Sequence, residues 1–181
     1  MKRVLTLAVA AALAGGAAIT HAYEAGDVIL RVGAATVAPD ADSDVVPGLG
    51  VTVDVDDNTQ LGIIPAYIVD PNWGIELLAA TPFDHDIDVN EADLRAGSTK
   101  HLPPTLTVQW YPRGHKTGWQ PYFGVGVNYT YFFDEEANSD LEGIVGKADL
   151  DLDDSFGLSA SAGVDIPFGE HWMFNAGIWY I

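Results

Sequence analysis

Two acidic runs carry the residue types of a hard-cation site. Asp84-x-Asp86-x-Asp88 and Asp149-x-Asp151-x-Asp153 begin with the alternating carboxylates of a calcium loop. Such a loop needs glycine at its sixth position for the sharp turn and a bidentate glutamate at its twelfth. Val89 and Asp154 stand at the sixth, Arg95 and Ala160 at the twelfth, so neither run is an EF-hand. Gly124-x-Gly126 has Tyr129 where a dinucleotide-binding loop requires its third glycine, and close packing explains strand glycines better. His85, His101, His115 and His171 are isolated in sequence, with no helical i,i+4 metal spacing, and the chain has no cysteine. Ser98 and His101 are the only neighbours that resemble a nucleophile with its base. The expectation is a protein that is not an enzyme, with no metal, no cofactor and no catalytic residue.

With catalysis set aside, charge and targeting bound the function. Among 181 residues, 26 are acidic and 8 basic, which argues against nucleic-acid binding, since phosphate backbones are held by lysine and arginine clusters. The N-terminus reads as an export signal: Lys2 and Arg3, an apolar stretch over 4–14, then Thr20-His21-Ala22 with small residues where a signal peptidase reads. Cleavage is expected after Ala22. Residues 4–19 are too short for the roughly 20 needed to span a membrane as a helix, which leaves residues 23–181 as one exported domain.

That domain alternates. In 105–110, polar Thr105, Thr107 and Gln109 interleave with Leu106, Val108 and Trp110, the period of a strand with two different faces. The same pattern recurs in 123–131 and 158–166, and less cleanly in 28–34, 60–69, 73–83 and 172–181. Seven strands and no helix follow. The links alternate strictly: long over 35–59, 84–104 and 134–155, short over 70–72, 112–120 and 167–171. A meander with long loops at one rim and tight turns at the other is the pattern of a bacterial outer-membrane up-and-down β-barrel, whereas Greek-key sandwiches give no reason for it. Acidic residues crowd the long-loop rim, as in Asp40, Asp42 and Asp44 or Asp134, Glu135 and Glu136, while Arg113 and Lys116 mark the other. A solvated cell-exterior surface explains them. A sharper reading is divalent-cation bridging between these carboxylates and lipopolysaccharide.

Parity then separates lumen from lipid, because a cation on the lipid face at mid-depth costs about 2–4 kcal/mol. Arg31, Gln60, Glu76, Gln109, Asn128, Asp165 and Asn175 are expected to face inward. Alternation carries Leu78 in with Glu76 and Trp179 in with Asn175, which suggests an apolar constriction. Pro82, Pro103 and Pro104 lack the N–H that a strand ladder needs and mark a place where the wall can open near the outer rim.

Particular residues also resemble a known family. Asn58-Thr59-Gln60-Leu61-Gly62, Gly74-Ile75-Glu76-Leu77-Leu78-Ala79-Ala80-Thr81-Pro82-Phe83, His101-Leu102-Pro103-Pro104-Thr105-Leu106 and Gln109-Trp110-Tyr111 closely resemble the OmpW/AlkL family of small outer-membrane barrels. Pro121-Tyr122, Asn128-Tyr129-Thr130, Phe132-Phe133-Asp134 and Trp179-Tyr180 continue the match. The resemblance implies an eight-stranded barrel with a narrow apolar channel, associated with passage of small hydrophobic molecules across the outer membrane. It also implies a fourth long loop and an eighth strand after Ile181. Bacterial single-chain barrels have even strand numbers, so the seven-stranded chain reads as C-terminally truncated, with two strand edges left unpaired in lipid.

Passive passage of small hydrophobic solutes is thus the expected function. The alternative is a non-transporting interaction or receptor protein acting through its acidic loops. Protease added to intact cells is expected to cut within 134–155 and to spare 112–120; cleavage confined to 112–120 would reverse the orientation.

Overall fold

The computed structural model describes residues 8–15, 22–39, 53–89, 94–137, 153–168 and 171–181, and every regular element among them is a strand. In chain order these are β1 (Ala8–Gly15), β2 (Val28–Val37), β3 (Val53–Val55), β4 (Asn58–Asp70), β5 (Trp73–Ala80), β6 (Phe83–Val89), β7 (Leu94–Leu102), β8 (Thr105–Trp110), β9 (Gln120–Ala137), β10 (Ser155–Phe168) and β11 (Trp172–Tyr180). All pairings are antiparallel. They run from β10 through β11, β1, β2, β4, β5 and β8 to β9, and β9 pairs again with β10. The seven strands legible in the sequence therefore form the wall, together with β1.

The place of β1 differs from expectation. In the uncut chain the apolar stretch read as the export signal lies between β11 and β2, with Ala11 opposite both Ala176 and Ala34, so the two edges expected to be bare are paired.

A second difference lies in the link over 84–104, which is a hairpin of β6 and β7. Asp84, Asp86 and Asp88 alternate with His85, Ile87 and Val89, which is strand periodicity with one charged face. The hairpin continues the wall beyond the lipid belt: β7 pairs with the outer part of β9, and β6 pairs with β3. The long loop over 35–59 is accordingly shortened by β3 and by extension of β2 and β4. Of the link over 134–155, β9 takes the first residues, and 138–152 lie outside the described part.

Burial follows the pleat. β8 and β11 alternate without exception, with Thr105, Thr107, Gln109, Met173, Asn175 and Trp179 buried and their neighbours exposed. The outward face carries Ile63, Ile75, Leu77, Leu106, Val108, Val125 and Ile178. At the tight-turn end, exposed Trp73, Trp110 and Phe123 are successive cross-strand partners and begin an aromatic girdle that Trp172 extends. The reversed solvent order, apolar outside and polar inside, is that of a membrane barrel.

The tight turns lock together. Tyr111 and Asn72 exchange backbone and side-chain hydrogen bonds, and the Gly114 Cα lies so close to the Pro71 carbonyl that any Cβ would overlap it. Placing Arg at outward-facing Val125, which is 68% exposed, is expected to cost about 2–4 kcal/mol in reversible unfolding from lipid vesicles. An unchanged midpoint would show that this face does not meet lipid.

Candidate functional site

The barrel interior is layered, and the middle layer is ionic. Arg31 on β2, Glu76 on β5 and Asp165 on β10 are each 0% exposed. Arg31 Nε and Nη2 donate to Asp165 Oδ1 at 2.9 Å and Oδ2 at 2.6 Å, and Nη1 donates to Glu76 Oε2 at 2.7 Å. Nη2 also reaches Tyr111 Oη at 3.3 Å, and the guanidinium lies 4.8 Å over the Tyr122 ring. Both carboxylates accept further hydrogen bonds. Gln109 Nε2 at 2.8 Å and Trp179 Nε1 at 3.2 Å donate to Glu76 Oε1; Tyr23 Oη and Asn175 Nδ2, both at 2.8 Å, donate to Asp165. Three strands far apart in sequence are joined through one planar cation whose fork fits two carboxylates.

Below this layer, toward the tight turns, Tyr23, Ile29, Ala66, Ile68, Tyr111, Tyr122 and Met173 pack into a solid apolar floor. Tyr23 meets Tyr111 edge-on at 5.0 Å and is held by its backbone N–H on the Gly114 carbonyl. Tyr122 lies over the paired glycines Gly163 and Gly177, where a Cβ would collide with its ring and hydroxyl. That is why these strand positions are glycine.

Above the ionic layer, Leu78 and Trp179 come together with Ile64, and Ile181 packs against them. The next space upward is apolar, lined by Ala35, Val37, Leu78, Ala80, Phe83, Pro103 and Ile181, and is a narrow cleft with a free volume of about 10 Å3. It lies beside a break in the wall. Leu78 is the last residue of β5 paired to β8, opposite Thr105, and pairing resumes only at Phe83 opposite His101. The intervening 79–82 and 102–104 contain Pro82, Pro103 and Pro104; Pro82 and Pro104 are exposed and Pro103 is buried. On the β9 side the proline carbonyls are held, with Asn128 Nδ2 donating to Pro103 O, Pro104 O and Thr105 Oγ1.

Of the residues singled out by parity, Arg31, Glu76, Gln109, Asp165 and Asn175 meet in one network, and Asn128 staples the proline segment. Gln60 is half-buried at the outer end of β4, bonded to Asn58 and Thr81, away from the network. Ser98 and His101 are not brought together: three residues apart in a strand, they lie on opposite faces. His101 instead stacks on His85 at 4.8 Å and on Phe83 at 5.5 Å, so these two histidines are not isolated. Only the β6–β7 register, which sets Phe83 opposite His101, brings them together. Asp84, Asp86 and Asp88 belong to a strand, not a cation loop. Asp149 and Asp151 lie outside the described residues, and Asp154 accepts from Tyr129 Oη and Phe132 N. Tyr23, Tyr111 and Tyr122 were missed, because an aromatic at a strand end reads equally well as interface girdle.

Removing the cation strands two buried carboxylates. Arg31→Gln is expected to lower stability by about 3–5 kcal/mol, and Arg31→Met with Glu76→Gln and Asp165→Asn to recover most of it, read from denaturant midpoints in detergent. A wild-type midpoint for Arg31→Gln would show that the clamp does not hold the barrel.

The model of the OmpW family matches residues 24–181. Outer membrane protein W of Vibrio cholerae is 43% identical over 178 residues, which cover 96% of this chain and 81% of that protein. Its counterpart in Escherichia coli K12 is 41% identical over 178 residues, covering 98% and 82%. In structure the chain is similar to crystalline OprG of Pseudomonas aeruginosa, with a TM-score of 0.73 at 33% identity over 88% of this chain and 97% of that one. It is also similar to the solution structure of E. coli outer membrane protein W, with a TM-score of 0.54 at 33% identity over 85% and 97%. Layered interior, lipid-facing belt and these relatives agree: the chain belongs to the OmpW family and is a β-barrel protein of the bacterial outer membrane.

Proposed function

We propose that the barrel is a passive conduit for small hydrophobic molecules, which enter from the outer rim, settle in the pocket above Leu78 and Trp179, and leave sideways through the break at Pro82, Pro103 and Pro104. The observation that carries this reading is the coincidence of an apolar pocket with the one stretch, between Leu78 and Phe83, where the β5–β6 side has no ladder to β7–β8.

The direction of exit follows from what lies below. The clamp and the floor below it fill the lower lumen with buried ion pairs and packed rings, and an apolar solute moving down would have to break ion pairs buried at 0% exposure. Sideways it meets only Leu78, Ala80, Phe83 and Pro103, then lipid. Transfer of apolar surface from water is worth about 25 cal/mol per Å2, so a small solute is held by a few kcal/mol and released into a phase that binds it equally well. No step requires energy input.

Trp179 donates to Glu76, so an acidic residue there would set a third carboxylate beside the clamp. The informative changes are therefore Ala80→Trp, which fills the pocket, and Leu78→Asp, which makes its floor polar. Both are expected to reduce uptake of a labelled apolar solute by cells several-fold, while the protein stays heat-modifiable on gels. Uptake equal to wild type in folded Ala80→Trp would remove the pocket from the route.

A further inference from the structure

The turn between β8 and β9 gathers the cations of the tight-turn end. It holds Arg113, His115 and Lys116, and Gly118, with φ of +89°, brings Trp119 back against Arg113. The guanidinium lies 4.8 Å over the indole, and Arg113 Nε donates to the Trp119 carbonyl at 3.2 Å. No described residue accepts from the two terminal nitrogens. Among the described residues, the carboxylates of this end belong to other segments: Glu24 and Asp27 precede β2 and Asp70 precedes Pro71, with Asp27 holding the Glu24 amide and Asp70 the Asn72 amide.

Strand parity fixes which way this pair faces. Gln120 is buried and Tyr122 is buried, so the alternate positions point outward, and Trp119, 52% exposed, is on the lipid side of the wall. It lies past Phe123 and Trp110 of the girdle, toward the turn, at the depth where lipid headgroups meet a barrel. A stacked guanidinium is oriented at no cost to its charge, and its unused edge presents two parallel N–H donors, the geometry that grips phosphate.

We propose that Arg113, stacked on Trp119, is a binding site for the phosphate of an anionic phospholipid in the leaflet facing the tight turns. The indole covers the glycerol and upper acyl region while the guanidinium fork takes the phosphate oxygens, with exposed Lys116 adding charge. The site anchors the turn end of the barrel at a fixed depth, opposite the acidic rim that repels the same lipids.

The test uses the full chain in micelles of a zwitterionic detergent carrying equal phosphatidylglycerol and phosphatidylcholine, with retained lipid counted by native mass spectrometry. The wild type is expected to keep phosphatidylglycerol about fivefold over phosphatidylcholine, as one cation at an anionic lipid surface gives. Arg113→Gln and Trp119→Leu are expected to bring the ratio close to one, and Lys116→Gln to keep most of it. Arg113→Lys, which retains charge without the fork, is expected to fall between and serves if Arg113→Gln does not fold. A preference unchanged in Arg113→Gln or Arg113→Lys overturns the site. An equal loss in Lys116→Gln reduces it to bulk charge, and displacement of the lipid by millimolar inorganic phosphate shows a free-anion site instead; either result overturns the lipid assignment.

Discussion

A single buried cation organises this barrel. Arg31 is out of reach of water, and a guanidinium in that position is tolerable only if its donors are met and its charge opposed. Glu76 and Asp165 do so from strands on either side, and their own spare lone pairs call in Gln109, Trp179, Tyr23 and Asn175. Together with the carboxylates, these groups fix the rotation of β5, β8, β10 and β11 about their axes. A one-residue slip in β5, β8, β10 or β11 would turn a network member into lipid and leave a charge unpaired, so the clamp specifies register where the apolar outer face alone would accept either neighbour.

The clamp also divides the lumen. Its tight-turn side is packed around three tyrosines with Ile29, Ile68 and Met173, Tyr122 lying on two glycines and Tyr23 tucked under Tyr111. Its outer side is lined by Ala35, Val37, Leu78 and Ala80 beneath Phe83, and a narrow cleft remains. Trp179 belongs to both, since its indole N–H is bonded to Glu76 while its ring closes the pocket with Leu78 and Ile64. This apolar cluster is therefore held in place by a hydrogen bond to a buried carboxylate, with no charge in the cluster itself.

Proline and asparagine shape the wall next to that pocket. Three prolines remove ladder donors around 79–82 and 102–104, and the Pro103 and Pro104 carbonyls are met by Asn128, the Thr105 hydroxyl and the Tyr129 amide. The break is thus stapled toward β9 and left unladdered toward β5. Beyond it, β6 and β7 raise the wall with inward Phe83, His85 and His101 stacked as a ring column.

Much of this was legible in the chain itself. Period-two alternation, alternating link lengths and the sorting of acidic residues to one rim define a membrane barrel, because strand pleat and the lipid belt act on every residue locally. Parity alone was enough to set Arg31, Glu76, Gln109, Asp165 and Asn175 on one side of the wall and Leu78 and Trp179 with them. What parity does not contain is height and azimuth. Which inward residues meet depends on stagger between strands, so the joining of Arg31 to two carboxylates 45 and 134 residues away, the separation of Gln60 from them and the stacking of His85 on His101 were decided only by tertiary register. The hairpin of β6 and β7 was hidden for a related reason: its charged face looks like a loop until a partner strand supplies the ladder.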